Sequence, residues 1–376
     1  MAVVALVLLG ILVWAVLWLP RHRGGAVRAA LAQVLALFLT TSLSLLLVGL
    51  VLNRDNGWYT NWSDLPGTVP GSSTTHYTRG AHTRPAKPAE LVTGRATALQ
   101  AAPASNHALP GFNAHATGGQ YLTVTIAGDA SGIKQPALVW LPPSYASHPD
   151  RFYPVILGFH GIPGSPSAYH EKFDIGTTLT SLTAAKQLRE AIVVVPTTFV
   201  PGNDSECVDG TTGPNPAPWE TYVDTDVRNW VRTNLRTVDS PDAWATVGYS
   251  AGGFCAAMLP VRHPDHYSHG MVMSGYFAPE WTAHQQYLPT GDKSYDLTTI
   301  VGTHRPKAAL WAYAARDDKQ AMTALAGFTK AVRPPTTMET QTQQTGGHRW
   351  DVWLQGLPLG LQWLGTTDAQ FAWRAA

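Results

Sequence analysis

Charge is what this chain has least of. Only 14% of its 376 residues are Asp, Glu, Lys or Arg, and 26 basic against 25 acidic side chains leave a formal net charge of +1. With no basic patch to neutralise phosphates, nucleic acid is excluded as a partner. Cysteine is nearly absent as well. Cys207 and Cys255 stand alone, in no C-x-x-C pair, which removes the usual zinc frameworks. No repeat recurs along the chain, which excludes a solenoid or propeller. No cofactor and no metal are expected.

What the chain has is apolar surface, unevenly placed. Residues 2–19 form an uncharged apolar run, and residues 29–52 form a second. Each is long enough to cross a hydrocarbon core of about 30 Å. Arg21, Arg23 and Arg28 sit between them, and the positive-inside rule puts that loop in the cytoplasm. The first run lacks the basic start and small-residue cleavage site of a signal peptide. Both runs are apolar all round, unlike a half-exposed helix of a soluble core. Residues 1–52 therefore read as a two-span hairpin, making this a multi-pass protein of the cell membrane with everything past Leu52 outside. Residues 53–119 read as an interfacial segment, with Trp58, Tyr59 and Trp62, followed by a linker rich in Pro, Gly, Ser and Thr.

From residue 120 the pattern changes. Short apolar runs at 121–126, 137–141, 153–160, 191–196, 243–249, 270–274 and 308–314, with a more polar one at 336–344, read as strands. Residues 178–189, 219–235, 321–332 and 350–363 have helical spacing. Near-continuous apolar strands separated by helices predict an α/β domain over 120–376. Its central sheet is mostly parallel, with helices on both faces.

One stretch of this domain carries chemistry. Gly248-Tyr-Ser250-Ala-Gly252 lies between a strand and a small-residue helix, the context of a nucleophile elbow. The pattern alone is short enough to arise by chance, so the rest of the chain must supply its partners. Asp317 and Asp318 end a strand. Either caps the helix that follows, and the G-x-x-D spacing selects Asp318 as the acid with Asp317 as fallback. His348, in Gly346-Gly-His-Arg-Trp350, occupies the turn after the last strand, where the base belongs in the order Ser, Asp, His. His160-Gly161-Ile162 ends an earlier strand. The oxyanion donors are then the backbone N–H groups of Ala251 and Ile162, with Gly161 as fallback for the second. His160 precedes the serine, the wrong order for a base. Tyr249 and Tyr276 either line the substrate pocket or pack the core. Trp350, Trp353 and Trp363 read as core anchors. His263, His266 and His269 resemble metal ligands but fall in a polar loop. Cys207, in a loop beside the elbow strand, and Cys255, one turn into the elbow helix, are placed to form a disulfide outside the cytoplasm.

The G-Y-S-A-G-G elbow, the H-G-I loop, Ser274-Gly-Tyr-Phe277 and G-G-H-R-W together resemble the esterase family of α/β-hydrolases that includes esterase D (S-formylglutathione hydrolase) and the antigen 85 mycolyltransferases. The likeness covers roughly residues 120 to 370, and two spans ahead of such a domain resemble actinobacterial cell-envelope members. It implies the α/β-hydrolase fold, Ser250, Asp318 and His348 as triad, and Ile162 and Ala251 as oxyanion donors. The mycolyltransferases carry their acid as a Glu within the helix after this strand, and residues 321–332 contain none. The expected activity is a membrane-anchored, extracytoplasmic serine esterase acting on a small-molecule or lipid ester. The alternatives are an acyltransferase with the same site and a sugar or glycolipid acceptor, or a non-catalytic cell-envelope binding protein on a hydrolase scaffold. The sequence gives no oligomeric state.

Overall fold

A computed structural model describes residues 26–56, 75–79, 109–200, 203–281 and 285–374, with residues 8, 10, 11 and 13 of the first apolar run. They fall into two compact units. One comprises Met1–Thr68 with Gly347–Arg349, and the other Val69–Gly346 with Trp350–Ala376.

In the first unit, the second apolar run is a single helix, α1 (Ala26–Asn56), of 31 residues. Its Gln33–Leu50 window is long and apolar enough to cross a membrane. Leu31, Val34, Leu37, Phe38 and Leu45 are each about two-thirds exposed, which is costly in water but not in lipid. The first expected span lies almost wholly outside the described residues.

The second unit is built on a nine-stranded sheet: β1 (Thr75–Arg79), β2 (Gln120–Ala127), β3 (Lys134–Leu141), β4 (Val155–Phe159), β5 (Ile192–Pro196), β6 (Trp244–Tyr249), β7 (His269–Met273), β8 (Ala309–Ala315) and β9 (Thr337–Gln343). Their spatial order is β1-β9-β8-β7-β6-β4-β5-β3-β2. The run from β5 to β9 is parallel throughout, while β2, β3 and β1 pair antiparallel at the two edges. Strands β2 to β9 follow the order expected of an α/β-hydrolase. The edge strand β1 falls in the segment read as linker. Thr-His-Tyr-Thr-Arg has β-favouring Thr and Tyr but no apolar alternation, and pairing with the edge of β9 makes it a strand.

Strands β4 to β7 are buried along their whole length because both faces are covered. The two-residue period divides them. Val155, Leu157 and Phe159 point into one core, with Trp244, Val272 and Leu310. Ile156 points into the other, with Val193, Val247, Met271 and Trp311. The first core is closed by α3 (Arg228–Asn234), α4 (Ala251–Arg262), α5 (Leu297–Thr303) and α6 (Lys319–Ala331). The second is closed by α2 (Ile175–Ala184) and α7 (Trp350–Thr367).

Two helices depart from expectation. Helix α2 begins three residues early, because the Asp174 side chain accepts from Thr177 N–H, and ends at Ala184 ahead of Lys186 at φ 61°. The helical stretch that starts at Trp219 is interrupted by a π-helical turn, Tyr222–Val227, before α3. The expected disulfide is present: Cys207 and Cys255 are joined, and both are fully buried in the first core.

Candidate active site

The sheet reverses its winding at β4. The chain passes from β4 to β5 on one side and later returns to β6 on the other, so the loops after β4 and β6 share the crevice at the strands' C-terminal ends. Ser250 follows β6 directly, at φ 56° and ψ −129°, a conformation that costs a non-glycine residue on the order of 1–3 kcal/mol. Its N–H donates to Met273 O at 2.9 Å and its carbonyl accepts from Gly253 N–H at 2.8 Å, so both sides of the turn are pinned.

The elbow's glycines are required by space. A Cβ on Gly248 would overlap the Gly252 carbonyl, and one on Gly252 would lie 2.5 Å from His160 O. The helix therefore starts pressed against both the elbow strand and the end of β4. A Cβ on Gly161 would stand 2.9 Å from the Tyr249 ring and 3.1 Å from Ser250 Cβ. The H-G-I loop thus abuts the serine, as a second oxyanion donor must. Ala251 opens α4, so its N–H is one of the four without an intrahelical acceptor.

His160 is fully buried. Its Nδ1 lies 2.9 Å from Gly161 O, its Nε2 accepts from Thr198 N–H at 3.4 Å, and Phe199 packs edge-on against the ring. Burial pulls its pKa down to about 4, outweighing the Gly161 carbonyl, which favours the charged form. A neutral ring with a proton on Nδ1 satisfies both partners. It braces the loop.

The aspartates divide their contacts. Asp318 is 5% exposed and caps α6, accepting from Ala321 N–H at 3.2 Å. Asp317 is half-buried and accepts from Gly346 N–H at 3.1 Å, tying the end of β8 to the start of the histidine turn. Gln343 secures the same turn. It accepts from Tyr313 Oη at 2.7 Å and donates to Thr345 O at 2.7 Å. A glutamine in a Thr/Gln-rich strand gave no sequence signal of this task. His348 lies two residues further on, between β9 and α7.

Neither expected pocket tyrosine faces solvent. Tyr249 is 2% exposed, ringed by Phe173, Trp350 and Trp353. Tyr276 stacks on Phe254 and donates to Glu206, a fully buried carboxyl whose pKa burial and Asp204 push well upward. Glu206 and Cys207 both hold positive φ in the disulfide loop. Sequence inspection singled out the cysteine and passed over its neighbour. The histidine trio does not converge. His263 and His266 stand together beside Glu220 and Asp224, whereas His269 is buried on β7 against Ser268 and Trp363.

The family model described as "Putative esterase" matches residues 130–364, the span that holds β3 to β9 and every residue named so far in this subsection. The chain belongs to the Esterase family. An uncharacterized protein of Corynebacterium glutamicum is 25% identical over 243 residues, 61% of this chain and 56% of that one. An esterase of Mycobacterium tuberculosis is 32% identical over 137 residues, 36% of this chain and 28% of its own length. The chain therefore spans about half or less of the curated relatives it matches. Among solved structures, a ferulic acid esterase superposes with a TM-score of 0.55 at 19% identity, covering 68% of this chain and 99% of its own. An S-formylglutathione hydrolase from Agrobacterium tumefaciens does so with 0.55 at 16%, covering 67% and 97%. At such identity these two structures establish the α/β-hydrolase fold.

Proposed function

We propose that this chain is a serine esterase that cleaves carboxylic esters through an acyl-enzyme on Ser250. The observation that carries the reading is the strained elbow: a serine at positive φ, at the head of a helix, with Gly161 packed on its Cβ. Ser250 Oγ attacks the ester carbonyl carbon while its proton passes to His348. The carbonyl oxygen becomes an oxyanion facing the N–H groups of Ala251 and Ile162, with Gly161 N–H as the alternative second donor. Collapse expels the alcohol, which takes the proton from the imidazolium. Water then repeats the sequence, releasing the acid and restoring the serine. Asp318 orients the histidine and offsets its charge; Asp317, on the Gly346 N–H, is the fallback.

The domain works outside the cell membrane in this reading, anchored by the two N-terminal apolar runs. Helix α1, the Arg21–Arg28 cluster and a buried disulfide, which persists in oxidising compartments, support that placement. The substrate is a small-molecule or lipid ester.

The test is turnover of chromogenic esters of graded acyl length by the full chain in detergent, beside Ser250→Ala. Absence of serine-dependent turnover across the panel would sink the esterase reading. A new acylated product on adding a polyol would turn it into the acyltransferase alternative. Comparing Asp318→Asn with Asp317→Asn assigns the acid, since the acid's loss removes most of kcat and the other's loss changes stability first.

A further inference from the structure

Helix α4 ends far from its serine in an unrelated cluster. Arg262 closes the helix, His263 follows, and a tight turn, with His266 N–H donating to His263 O at 2.9 Å, brings His266 alongside. The imidazoles lie parallel, their centroids 5.8 Å apart. Facing them from the stretch before α3 are Glu220 and Asp224, four residues apart, the latter within the π-helical turn. Asp224 and the two histidines offer ligand atoms that all lie within 4.8 Å of one another.

The proton positions give the cluster its meaning. Glu220 receives Arg262 through two nitrogens, at 2.6 and 3.1 Å, and the Tyr295 hydroxyl as well. So surrounded by donors, it is an ionised acceptor, and His263 Nε2, 2.8 Å away, donates to it. A neutral His263 then carries its lone pair on Nδ1. That atom faces an oxygen of Asp224 at 3.6 Å, acceptor against acceptor. His266 Nδ1 approaches the other Asp224 oxygen at 2.8 Å. A cation between His263 Nδ1 and Asp224, either a proton on the ring or a metal ion, resolves that pairing. With neutral imidazoles, Glu220, Asp224 and Arg262 leave one net negative charge there, and the exposed Asp265 adds to it.

We propose that Asp224, His263 and His266 form a binding site for a divalent first-row transition ion such as Zn2+, with Glu220 orienting His263 from behind. Tetrahedral zinc, with bonds of about 2.0–2.1 Å, spaces its ligand atoms about 3.3–3.4 Å apart. The 3.6 Å gap between His263 Nδ1 and Asp224 Oδ2 fits this with little movement. The carboxylate–histidine–metal relay through Glu220 is the usual way such an imidazole is held in one tautomer. His263 and His266 are 26% and 32% exposed, so an ion can reach them and water can complete its coordination. The site is structural: it clasps the end of α4 to the π-turn, at the opposite end of the helix from Ser250, and is independent of the esterase reading.

The experiment uses the full chain in detergent, free of any affinity tag and stripped with a chelator. Titration with Zn2+ at pH 7.5, followed by calorimetry and by thermal unfolding, is expected to show one saturable equivalent per chain and a raised Tm. His266→Gln and Asp224→Asn should each weaken it at least tenfold, whereas His304→Gln, on an exposed histidine elsewhere, should not. Far-UV circular dichroism confirms that each variant is folded, and His266→Gln alters the most exposed ligand in case Asp224→Asn is not. Absence of a saturable equivalent would mean that a proton on His263 fills the gap, and the proposal fails. It fails equally if the equivalent persists unweakened in folded His266→Gln.

Discussion

The two ends of helix α4 solve opposite problems. At its start, the helix is neutral and pressed on backbone: Gly248, Gly252 and Gly161 remove side chains so that Ser250, β4 and β6 can meet. At its end, Arg262 and His263 sit among the carboxylates of Glu220 and Asp224. Histidines record the difference. Burial among neutral groups lowers the pKa of His160 to about 4. That of His263 is raised: burial opposes its charge, but the hydrogen bond to Glu220 and the nearby Asp224 outweigh burial. One end is shaped by excluded volume, which admits no compromise. The other is held by charge, which tolerates partial loss.

Breaking the first end should cost most. Ser250→Ala is expected to lower ester turnover by about 10⁴-fold or more with the Tm nearly unchanged, because it relieves backbone strain little and removes the proposed nucleophile. Gly248→Ala should cost more stability than any single neutralisation at the far end, about 4 kcal/mol or more, since its Cβ meets backbone that cannot move aside. Denaturant titration checks this, and a cost below that of Glu220→Gln would overturn the contrast. Reducing the Cys207–Cys255 bridge, which spans 48 residues and fastens a loop to the middle of α4, should remove about 4 kcal/mol in the chain-entropy account.

The histidine contrast can be sharpened by pH. His160 titrates lower folded than its ordinary 6.5, so the unfolded chain binds the proton first. Its contribution is complete above pH 6.5 and is lost as pH falls towards 4, on the order of 3 kcal/mol in all. His160→Asn should flatten that part of the stability profile; an unchanged acid slope would refute the assignment. Smallest is Glu220→Gln, expected to cost about 2 kcal/mol. It strips a largely buried carboxylate of its charge, but Arg262 is exposed enough to turn to water.

How much of this was legible in the chain depended on whether the cause was local. The elbow, the disulfide partners and the succession of strands along the chain from β2 to β9 were readable, because glycine spacing, apolar runs and chain order are properties of short segments. The helix after Trp219 was readable as a helix, but its π-turn was not. The edge strand β1 was missed because pairing with β9 alone creates it. The candidate acid pair was found without its division of labour: Asp318 takes the α6 cap and Asp317 the Gly346 N–H, a choice made by the packing of β8 against β9.

By itself, then, the sequence determined the parallel sheet and the position of the Ser250 elbow, since hydrophobic period and steric need for glycine act over a few residues. It determined an apolar helix fit for a membrane in the same way. Tertiary structure alone decided that His263 and His266 face Asp224 and Glu220 while His269 does not, that Gln343 holds the histidine turn, and that Tyr249 is core. Those outcomes rest on groups tens of residues apart in the chain, and only the folding of α4 onto the sheet brings them within reach of one another.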